Sequence, residues 1–262
     1  MIEQPLHVLI LAGRRGGDDP VARAAGVSHK ALAAVGGVPM IERVVMTLRE
    51  ALPFCIPHIA IDATPEVASV LDALADKVRI EVVPAGASPC ATVAAALDRA
   101  GTAPPLLVTT ADHPLLTPAM VRHFLDHLPA GAGAAAGVAA RETITARYPA
   151  ARRTYWRFGD RQFSGCNLFY LGPGGGAHVV AFWRRLERDR KRPWAVVRRL
   201  GLGPLLRFGC GRLSLAQALR LLEDKVGARV IAVDMPFAEA AIDVDRPADL
   251  RLAEEILGRA PP

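Results

Sequence analysis

The sequence has few cysteines, no tract of low complexity and only a short apolar run at its start, and these absences exclude several classes of protein. The first run, HVLILAG, is far shorter than the roughly 20 residues that cross a bilayer, and no basic residues precede it. We therefore expect a buried strand rather than a membrane span or secretory leader, and a cytoplasmic location. With 51% hydrophobic and 22% charged residues, the chain is typical of a folded globular protein.

The four cysteines are far apart, without a C-x-x-C pair or clustered histidines beside them, so we expect neither a disulfide framework nor a zinc site. They are Cys55, Cys90, Cys166 and Cys210. The sequence also shows no Ser-His-Asp or Cys-His arrangement that would indicate nucleophilic catalysis. We interpret Cys90 and Cys166 as small residues of a cleft wall.

Positive charge is concentrated in one stretch. Lysine and arginine exceed the acidic residues by six over the chain, and eight basic against two acidic residues between 184 and 199 give this stretch a charge of +6. A solvated helical face is the first interpretation. Contact with an acceptor phosphate or an anionic membrane is the second, since Trp183 and Trp194 accompany the arginines. Nucleic-acid binding is disfavoured because no nucleic-acid module motif accompanies the charge.

Apolar strand-like runs alternate with helical patterns along the first half, which predicts a doubly wound α/β fold. Each strand is expected to be apolar on both faces. The predicted strands are 7–13, 58–63, 79–85 and 105–112, and the predicted helices are 39–52, 65–76, 88–101 and 117–128. Ligands bind beyond the carboxyl ends of such strands, so residues 13–30, 85–92 and 111–114 should border one cleft.

The alternation of strand and helix patterns becomes less regular after residue 130. An Ala/Gly-rich run (130–140) and an Arg/aromatic stretch (152–163) precede a strand-like segment, 164–171. A basic helical segment (177–200) and a helix (213–227) follow. We expect a single domain over 1–262, with a nucleotide-binding half (1–130) and an acceptor-binding half (131–262).

A polar, glycine-rich loop follows the first strand and leads to two cations. Gly13, Gly16 and Gly17 can free backbone amides for a triphosphate, while Arg23 and Lys30, seven residues apart, can offset charge on a leaving pyrophosphate. On this segment alone, a solvated loop is the simpler interpretation.

The whole pattern resembles nucleotidyltransferases of the nucleotide-diphospho-sugar transferase (GT-A type) fold, especially the molybdenum cofactor guanylyltransferase (MobA-like NTP transferase) family. That family opens with L-A-G-G-x-G-x-R, then P-K-x-L and G-x-P-(M/L)-(I/L). The matching segments are Leu11-Ala12-Gly13, Arg23, Lys30-Ala31-Leu32 and Gly37-Val38-Pro39-Met40-Ile41. The resemblance runs nearly end to end. It implies a three-layer α/β/α Rossmann-like fold with a mainly parallel, mixed sheet, and it implies that Lys30 and Arg23 grip the triphosphate.

The glycine loop departs from the family pattern in three ways. Arg14 replaces the second glycine, the loop is about five residues longer, and His29 stands where the family mostly has proline. The resemblance assigns Leu11, Ala12, Gly13 and Arg14 to the nucleotide. Arg14 or Arg15 could reach the phosphates directly, or the longer loop could act as a lid.

Two acidic segments are candidate metal ligands. Asp112 follows an apolar strand and precedes Thr117-Pro118, so it suits either Mg²⁺ binding or helix entry. The resemblance places it on the family's metal-binding aspartate. The closing segment, residues 241–250, resembles the family's D-x-D-x-P-x-D-L and assigns Asp245 to the metal, with Asp243 as an alternative on the same face of an extended strand. We interpret Asp249 as a first-turn helix acid.

The resemblance also implies residues for the base and the acceptor. The segment of Ser88 and Thr92 matches the one that reads the nucleobase, although Ser88 and Pro89 equally suit a helix start. Asn167 matches the asparagine that faces the acceptor, and a buried strand asparagine is the alternative.

Together these features predict a Mg²⁺-dependent nucleotidyltransferase that joins a nucleoside monophosphate, from GTP or CTP by preference, to a phosphorylated sugar, alcohol or cofactor. A glycosyltransferase of the same fold would lack the Arg23/Lys30 pair and ranks lower. A non-catalytic nucleotide-binding protein is the other alternative, because the glycine loop is altered. No base, acceptor or oligomeric state follows from the sequence.

Overall fold

The computed structural model describes residues 6–14, 17–100, 105–159, 161–189 and 201–259. Its strands are β1 (His7–Leu11), β2 (Ala34–Val35), β3 (Val38–Pro39), β4 (Pro57–Ala60), β5 (Glu81–Val83), β6 (Leu106–Thr110), β7 (Ala134–Ala140), β8 (Trp156–Phe158), β9 (Arg161–Leu171) and β10 (Val230–Asp234). Its α-helices are α1 (Pro20–Ala25), α2 (Met40–Ala51), α3 (Pro65–Ala75), α4 (Pro89–Ala100), α5 (Pro118–Asp126), α6 (Arg141–Arg147), α7 (Gly175–Asp189), α8 (Leu202–Gly209), α9 (Leu215–Val226) and α10 (Pro247–Arg259). Two 3₁₀ turns cover Lys30–Leu32 and Ala238–Ala241.

One mixed sheet organises these elements. Its strands run in the order β10-β7-β9-β6-β1-β4-β5, and β8 pairs with β9 at the side. The pairs β10–β7, β6–β1, β1–β4 and β4–β5 are parallel, whereas β9 is antiparallel to β6, β7 and β8. A mainly parallel, mixed sheet was expected, and the structure confirms it.

Helices cover both faces of the sheet, because successive side chains of β1 pack against helices on opposite sides. Val8 and Ile10 pack into a core cluster with α2, α3 and α5, whereas Leu9 packs into a second cluster with α4 and α7. Successive strand residues point to opposite faces, so each face buries its own set of side chains. The predicted three-layer α/β/α arrangement is therefore confirmed.

Two strand predictions need correction. The segment 79–85 was expected to be apolar on both faces, but β5 lies at the sheet edge and exposes Glu81 and Val82. The Ala/Gly-rich run 130–140 carried no prediction of a strand, yet β7 lies inside the sheet between β9 and β10. Alanine and glycine have low strand propensity, and the close packing of neighbouring elements here outweighs it. Within the described residues, no helix is long and apolar enough to cross a bilayer.

The fold places the carboxyl ends of β1 and β6 side by side. β4 and β5 continue the sheet on one side of β1, and β6 lies on the other, so the chain reverses its direction of strand addition there. Ligand clefts form at such reversal points. The segment after β1 also meets the segment after β5, since a Cβ on Gly13 would lie 3.1 Å from the Cβ of Ala85. The expected border between residues 13–30 and 85–92 is therefore present.

We expect Gly172→Ala to destabilise the fold. Gly172 donates its amide to the carbonyl of Gly133 at 2.9 Å, and an added Cβ would overlap the backbone carbonyl of Ala132. Backbone must shift to admit the methyl group, which should lower the free energy of unfolding by about 1–3 kcal/mol in urea denaturation. The matched control is Gly203→Ala, where a Cβ meets no heavy atom within 4 Å. An equal effect of both changes would contradict this packing argument.

Candidate active site

Lys30 is positioned by a short, well-anchored turn. Gly26 ends α1 in the left-handed conformation (φ 68°), and the Nδ1 atom of His29 accepts the amide of Ala31 at 3.1 Å. Ala31 and Leu32 are buried in the core, which fixes the backbone of the 3₁₀ turn. Burial lowers the pKa of His29, and nearby Arg14 acts in the same direction, so the imidazole is neutral at pH 7 and can accept.

The ammonium group of Lys30 lies between two carboxylates from distant parts of the chain. Its Nζ donates to Oδ2 of Asp112 at 2.6 Å and to Oδ1 of Asp245 at 3.1 Å. The structure thus brings together three of the residues that the sequence singled out. Burial acts to lower the pKa of Lys30, but Asp112 and Asp245 outweigh it and the pKa lies above its ordinary value. Lys30 is therefore a cation at neutral pH.

The two carboxylates differ in exposure. The side chain of Asp112 is 18% exposed and that of Lys30 is 21% exposed, whereas Asp245 is 54% exposed. Oδ1 of Asp112 is buried and has no hydrogen-bond partner in the described part of the chain. Asp112 therefore forms the inner wall of the site and Asp245 its solvent side.

A backbone hydrogen bond holds these two acids near each other. The amide of Val244 donates to the carbonyl of Asp112 at 2.8 Å, and the Val244 side chain is fully buried. The sequence predicted that Asp243 and Asp245 share one face of a strand, and this is wrong. Residues 242–244 follow a 3₁₀ turn and join no strand, so the two carboxylates meet different partners.

Asp243 is bound by Arg153 and Asn167 instead of Lys30. A guanidinium nitrogen of Arg153 donates to Oδ1, and the Asn167 amide donates to Oδ2 at 3.0 Å. Burial raises the pKa of the Asp243 carboxyl; Arg153 opposes the rise, and Asp112 and Asp245 add to it. Asn167 has a φ of 50°, the left-handed region that asparagine tolerates better than most residues. The predicted alternative metal ligand is thus paired with Arg153, whereas Asp112 and Asp245 are paired with Lys30.

Arg153 is the site residue that the sequence interpretation missed. It also donates to the carbonyls of Ala241 and Asp243 and to Oδ1 of Asp249, at 3.1, 3.0 and 3.1 Å. Asp249 lies in the first turn of α10, as predicted, and accepts the amide of Arg246 at 2.9 Å. The only signal in the sequence was indirect: three closely spaced acids in the closing segment, Asp243, Asp245 and Asp249, favour a nearby cation.

Arg23 contacts an acid of the glycine loop and not the carboxylates of Asp112 and Asp245. Arg23 pairs with Asp18, and its side chain is 68% exposed. Asp19 caps α1 and accepts the amides of Val21 and Ala22. The amide of Arg14 donates to Oδ2 of Asp62 at 3.3 Å. Arg15 and Gly16 lie outside the described residues.

Comparison with known proteins identifies the family to which this site belongs. The family model described as "MobA-like NTP transferase domain" matches residues 8–189. The chain belongs to the MobA-like NTP transferase family. A hypothetical transferase from Thermus thermophilus is 30% identical, with a TM-score of 0.77, covering 94% of this chain and 99% of that one. No curated protein matched the chain significantly.

Two further solved structures share the fold at lower identity. A 4-diphosphocytidyl-2C-methyl-D-erythritol synthase from Anaerococcus prevotii is 11% identical over 98% of this chain and 99% of that one, with a TM-score of 0.60. A CMP:2-keto-3-deoxy-manno-octonic acid synthetase complexed with CTP is 14% identical over 97% and 98%, with a TM-score of 0.57. These two structures show the fold, and it is the family model that makes this MobA-like NTP transferase an enzyme of nucleotidyltransferase type, as the resemblance implied.

The hydroxyl groups of Ser88 and Thr92 are engaged within the protein. Ser88 accepts the amide of Ala91 at 3.2 Å and donates to Oε2 of Glu187 at 2.8 Å. Thr92 accepts the amide of Gly86 at 2.9 Å and donates to the carbonyl of Ser88 at 3.1 Å. These bonds lock the loop before α4 in this MobA-like NTP transferase, and the helix-start interpretation of Ser88 holds.

The described part of the basic stretch lies on α7. Trp183, Arg184, Arg185 and Arg188 are exposed, and Glu187 between them meets Ser88. This face therefore borders the segment that the resemblance assigns to the nucleobase. The predicted cations between 190 and 199, together with Trp194, lie outside the described residues.

The cysteines near the cleft are core residues. Cys90 and Cys166 belong to two hydrophobic clusters rather than to the cleft wall that the sequence suggested. Burial raises the pKa of Cys90 to about 11 and raises that of Cys166 further. Both thiols are protonated at neutral pH, which agrees with the prediction that neither is a nucleophile.

We expect Arg153→Met to destabilise this MobA-like NTP transferase strongly. The Arg153 side chain is 7% exposed and that of Asp243 is 26% exposed, so the change leaves a largely buried carboxylate without its cation, whereas Asp249 keeps Arg246 at 3.0 Å. The free energy of unfolding should fall by about 3–5 kcal/mol in urea denaturation at pH 7.

The control is Lys77→Met, which removes a surface pair with Glu42 at 2.7 Å and should cost less than about 1 kcal/mol. Adding Asp243→Asn to Arg153→Met should recover part of the loss. If Arg153→Met costs no more than Lys77→Met, Arg153 does not neutralise the buried acids.

Proposed function

We propose that this chain transfers a nucleoside monophosphate from a nucleoside triphosphate to a phosphorylated small molecule and releases pyrophosphate. An oxygen of the acceptor phosphate attacks the α-phosphorus in line, and the bond from that phosphorus to the leaving pyrophosphate breaks. The attacking oxygen is already ionised at neutral pH, so the reaction requires no general base. Catalysis then consists of positioning and charge neutralisation.

The observation that carries this proposal is the position of Lys30 between Asp112 and Asp245. One cation and two acids, brought together from three distant segments, are the groups that a metal-bound triphosphate requires. The family membership supports the same reaction class.

Asp112 and Asp245 suit Mg²⁺. Both carboxylates already contact one cationic group, and Oδ1 of Asp112 is a buried acceptor without a partner in the described chain. No group of three or more His, Cys, Asp or Glu side chains suited to a metal occurs in the described residues. One or two carboxylates completed by substrate phosphates and water are the usual Mg²⁺ set in phosphoryl-transfer sites. Bound there, Mg²⁺ would neutralise charge on the phosphates.

The chain's own residues divide the remaining work. Lys30 and Arg23 would neutralise the pyrophosphate, which requires Arg23 to exchange Asp18 for a phosphate. Backbone amides of Gly13 and Arg14 would approach the triphosphate. Asn167 would orient the acceptor through its carbonyl oxygen, since its amide nitrogen donates to Asp243. Because the Ser88 and Thr92 hydroxyls are engaged internally, we assign base recognition in this segment mainly to backbone groups.

The nucleotide is proposed to be GTP or CTP. The solved synthetase of similar fold was complexed with CTP, which supports a pyrimidine, whereas the resemblance to the guanylyltransferases supports guanine. The acceptor is proposed as a sugar, alcohol or cofactor phosphate. Contact of the basic stretch with that phosphate or with an anionic membrane stays a prediction.

The test is a panel of four nucleoside triphosphates against sugar, alcohol and cofactor phosphates, with Mg²⁺ present and pyrophosphate release measured. Labelled pyrophosphate exchange identifies the nucleotide even when the acceptor is missing from the panel. Turnover of nucleotide sugars alone would indicate a glycosyltransferase. Binding of nucleotide without exchange or turnover would indicate a non-catalytic protein.

Lys30→Ala should lower kcat by about 100-fold or more, the scale of removing one preorganised charge from a transition state. Its circular dichroism spectrum should stay like that of the parent. Lys77→Met, which removes a surface ammonium group, should keep parental turnover. Near-parental turnover of Lys30→Ala would refute the role of Lys30.

Asp112→Asn and Asp245→Asn should each raise the Mg²⁺ concentration needed for half-maximal activity. The double variant should lose less than the product of the two single losses, because both acids act on one ion. The inner position of Asp112 predicts the larger single effect. Effects that simply multiply would contradict a shared metal.

A further inference from the structure

The ammonium group of Lys30 contacts the same two carboxylates that the proposed function assigns to Mg²⁺. Its Nζ is 2.6 Å from Oδ2 of Asp112 and 3.1 Å from Oδ1 of Asp245. A divalent ion held by both acids would lie beside a positive charge, which repels it. Lys30 and a metal therefore compete for one cation position.

The backbone at Lys30 is anchored, whereas its side chain is flexible. The turn Lys30–Leu32 is anchored by buried Ala31 and Leu32, whereas the lysine side chain is a flexible chain of four methylene groups. The outer acid, Asp245, is 54% exposed, so the cation position opens toward solvent on that side.

We infer that Lys30 is a built-in counter-ion that occupies the cation site of the free protein and is displaced when metal and nucleotide bind. The inference rests on the proposed function, because it needs Asp112 and Asp245 to be the metal ligands. Displacement frees the ammonium group to meet the triphosphate. Metal without nucleotide must remove Lys30 from two partners and offers it none, whereas nucleotide supplies a new anionic partner.

Metal and nucleotide should therefore bind with positive coupling, and that coupling should depend on Lys30. Lys30 also keeps Asp112 and Asp245 neutralised between turnovers, so the two acids need no permanently bound metal to remain close together. This role predicts an effect opposite in sign to the loss of activity: removing Lys30 should tighten metal binding.

The experiment measures Mn²⁺ binding to the nucleotide-free full chain by electron paramagnetic resonance of the free ion. Lys30→Met and Lys30→Gln should bind Mn²⁺ about tenfold or more tightly than the parent, since a competing charge is gone. Lys77→Met, whose ammonium pairs with Glu42 at 2.7 Å away from these acids, should bind like the parent. Two variants at position 30 guard against misfolding of one of them.

A second titration, with a non-hydrolysable triphosphate analogue of the nucleotide found in the panel, tests the coupling. The analogue should tighten Mn²⁺ binding more in the parent than in Lys30→Met. The inference is overturned if Lys30→Met and Lys30→Gln bind Mn²⁺ no more tightly than the parent while Asp112→Asn weakens binding. In that case the proposed metal site survives.

The double variant Lys30→Met/Asp112→Asn distinguishes failure of the counter-ion inference from failure of the proposed metal site. It should lose the gain seen in Lys30→Met. If it keeps that gain, the ion is not on Asp112, and the metal assignment of the proposed function fails together with the inference.

Discussion

Negative charge collected at one end of the sheet is the constraint on which this site depends. Three acids lie close together here, and the charges of Asp112 and Asp245 both act to raise the pKa of Asp243. Buried like charges are tolerated only when cations neutralise them. Lys30 does so for Asp112 and Asp245, and Arg153 does so for Asp243, while Asp249 is shared by Arg153 and Arg246. The site is thus two adjacent ion clusters with separate cations, joined by the backbone bond from Val244 to Asp112.

Part of this arrangement could be predicted from the sequence because it follows from strand order. The apolar runs before Gly13 and Asp112 predicted parallel strands whose ends meet, and β1 and β6 do pair in parallel. The seven-residue spacing of Arg23 and Lys30 and the closing acidic segment directed attention to Lys30, Asp112 and Asp245. Strand order accounts for the meeting of the segments that carry Gly13 and Asp112, since the carboxyl ends of neighbouring parallel strands share one edge. Asp245 joins no strand, and its place was implied by the resemblance of the closing segment to the family motif.

Other features escaped prediction because they depend on contacts between distant segments. Nothing in the stretch 152–163 distinguishes Arg153 from its neighbours until the fold buries it against Asp243 and Asp249. The same holds for β7, where a Cβ on Gly137 would lie 3.4 Å from side-chain atoms of Cys166 and Met235 on neighbouring segments. Local propensity does not identify such segments as strands, because their conformation is determined by tertiary packing.

Both cations that the sequence assigns to the triphosphate are held by carboxylates in the free protein. Lys30 contacts Asp112 and Asp245, and Arg23 contacts Asp18 in the lengthened loop. A nucleotide must exchange these pairs for its own phosphates, so its affinity reflects the difference between two sets of charge contacts. The Lys30 pairs are partly buried, whereas the Arg23 pair is exposed and weak. Separating Arg23 from Asp18 therefore costs less free energy than separating Lys30 from its two acids. Lys30 can bind the nucleotide only when another cation takes its place on Asp112 and Asp245.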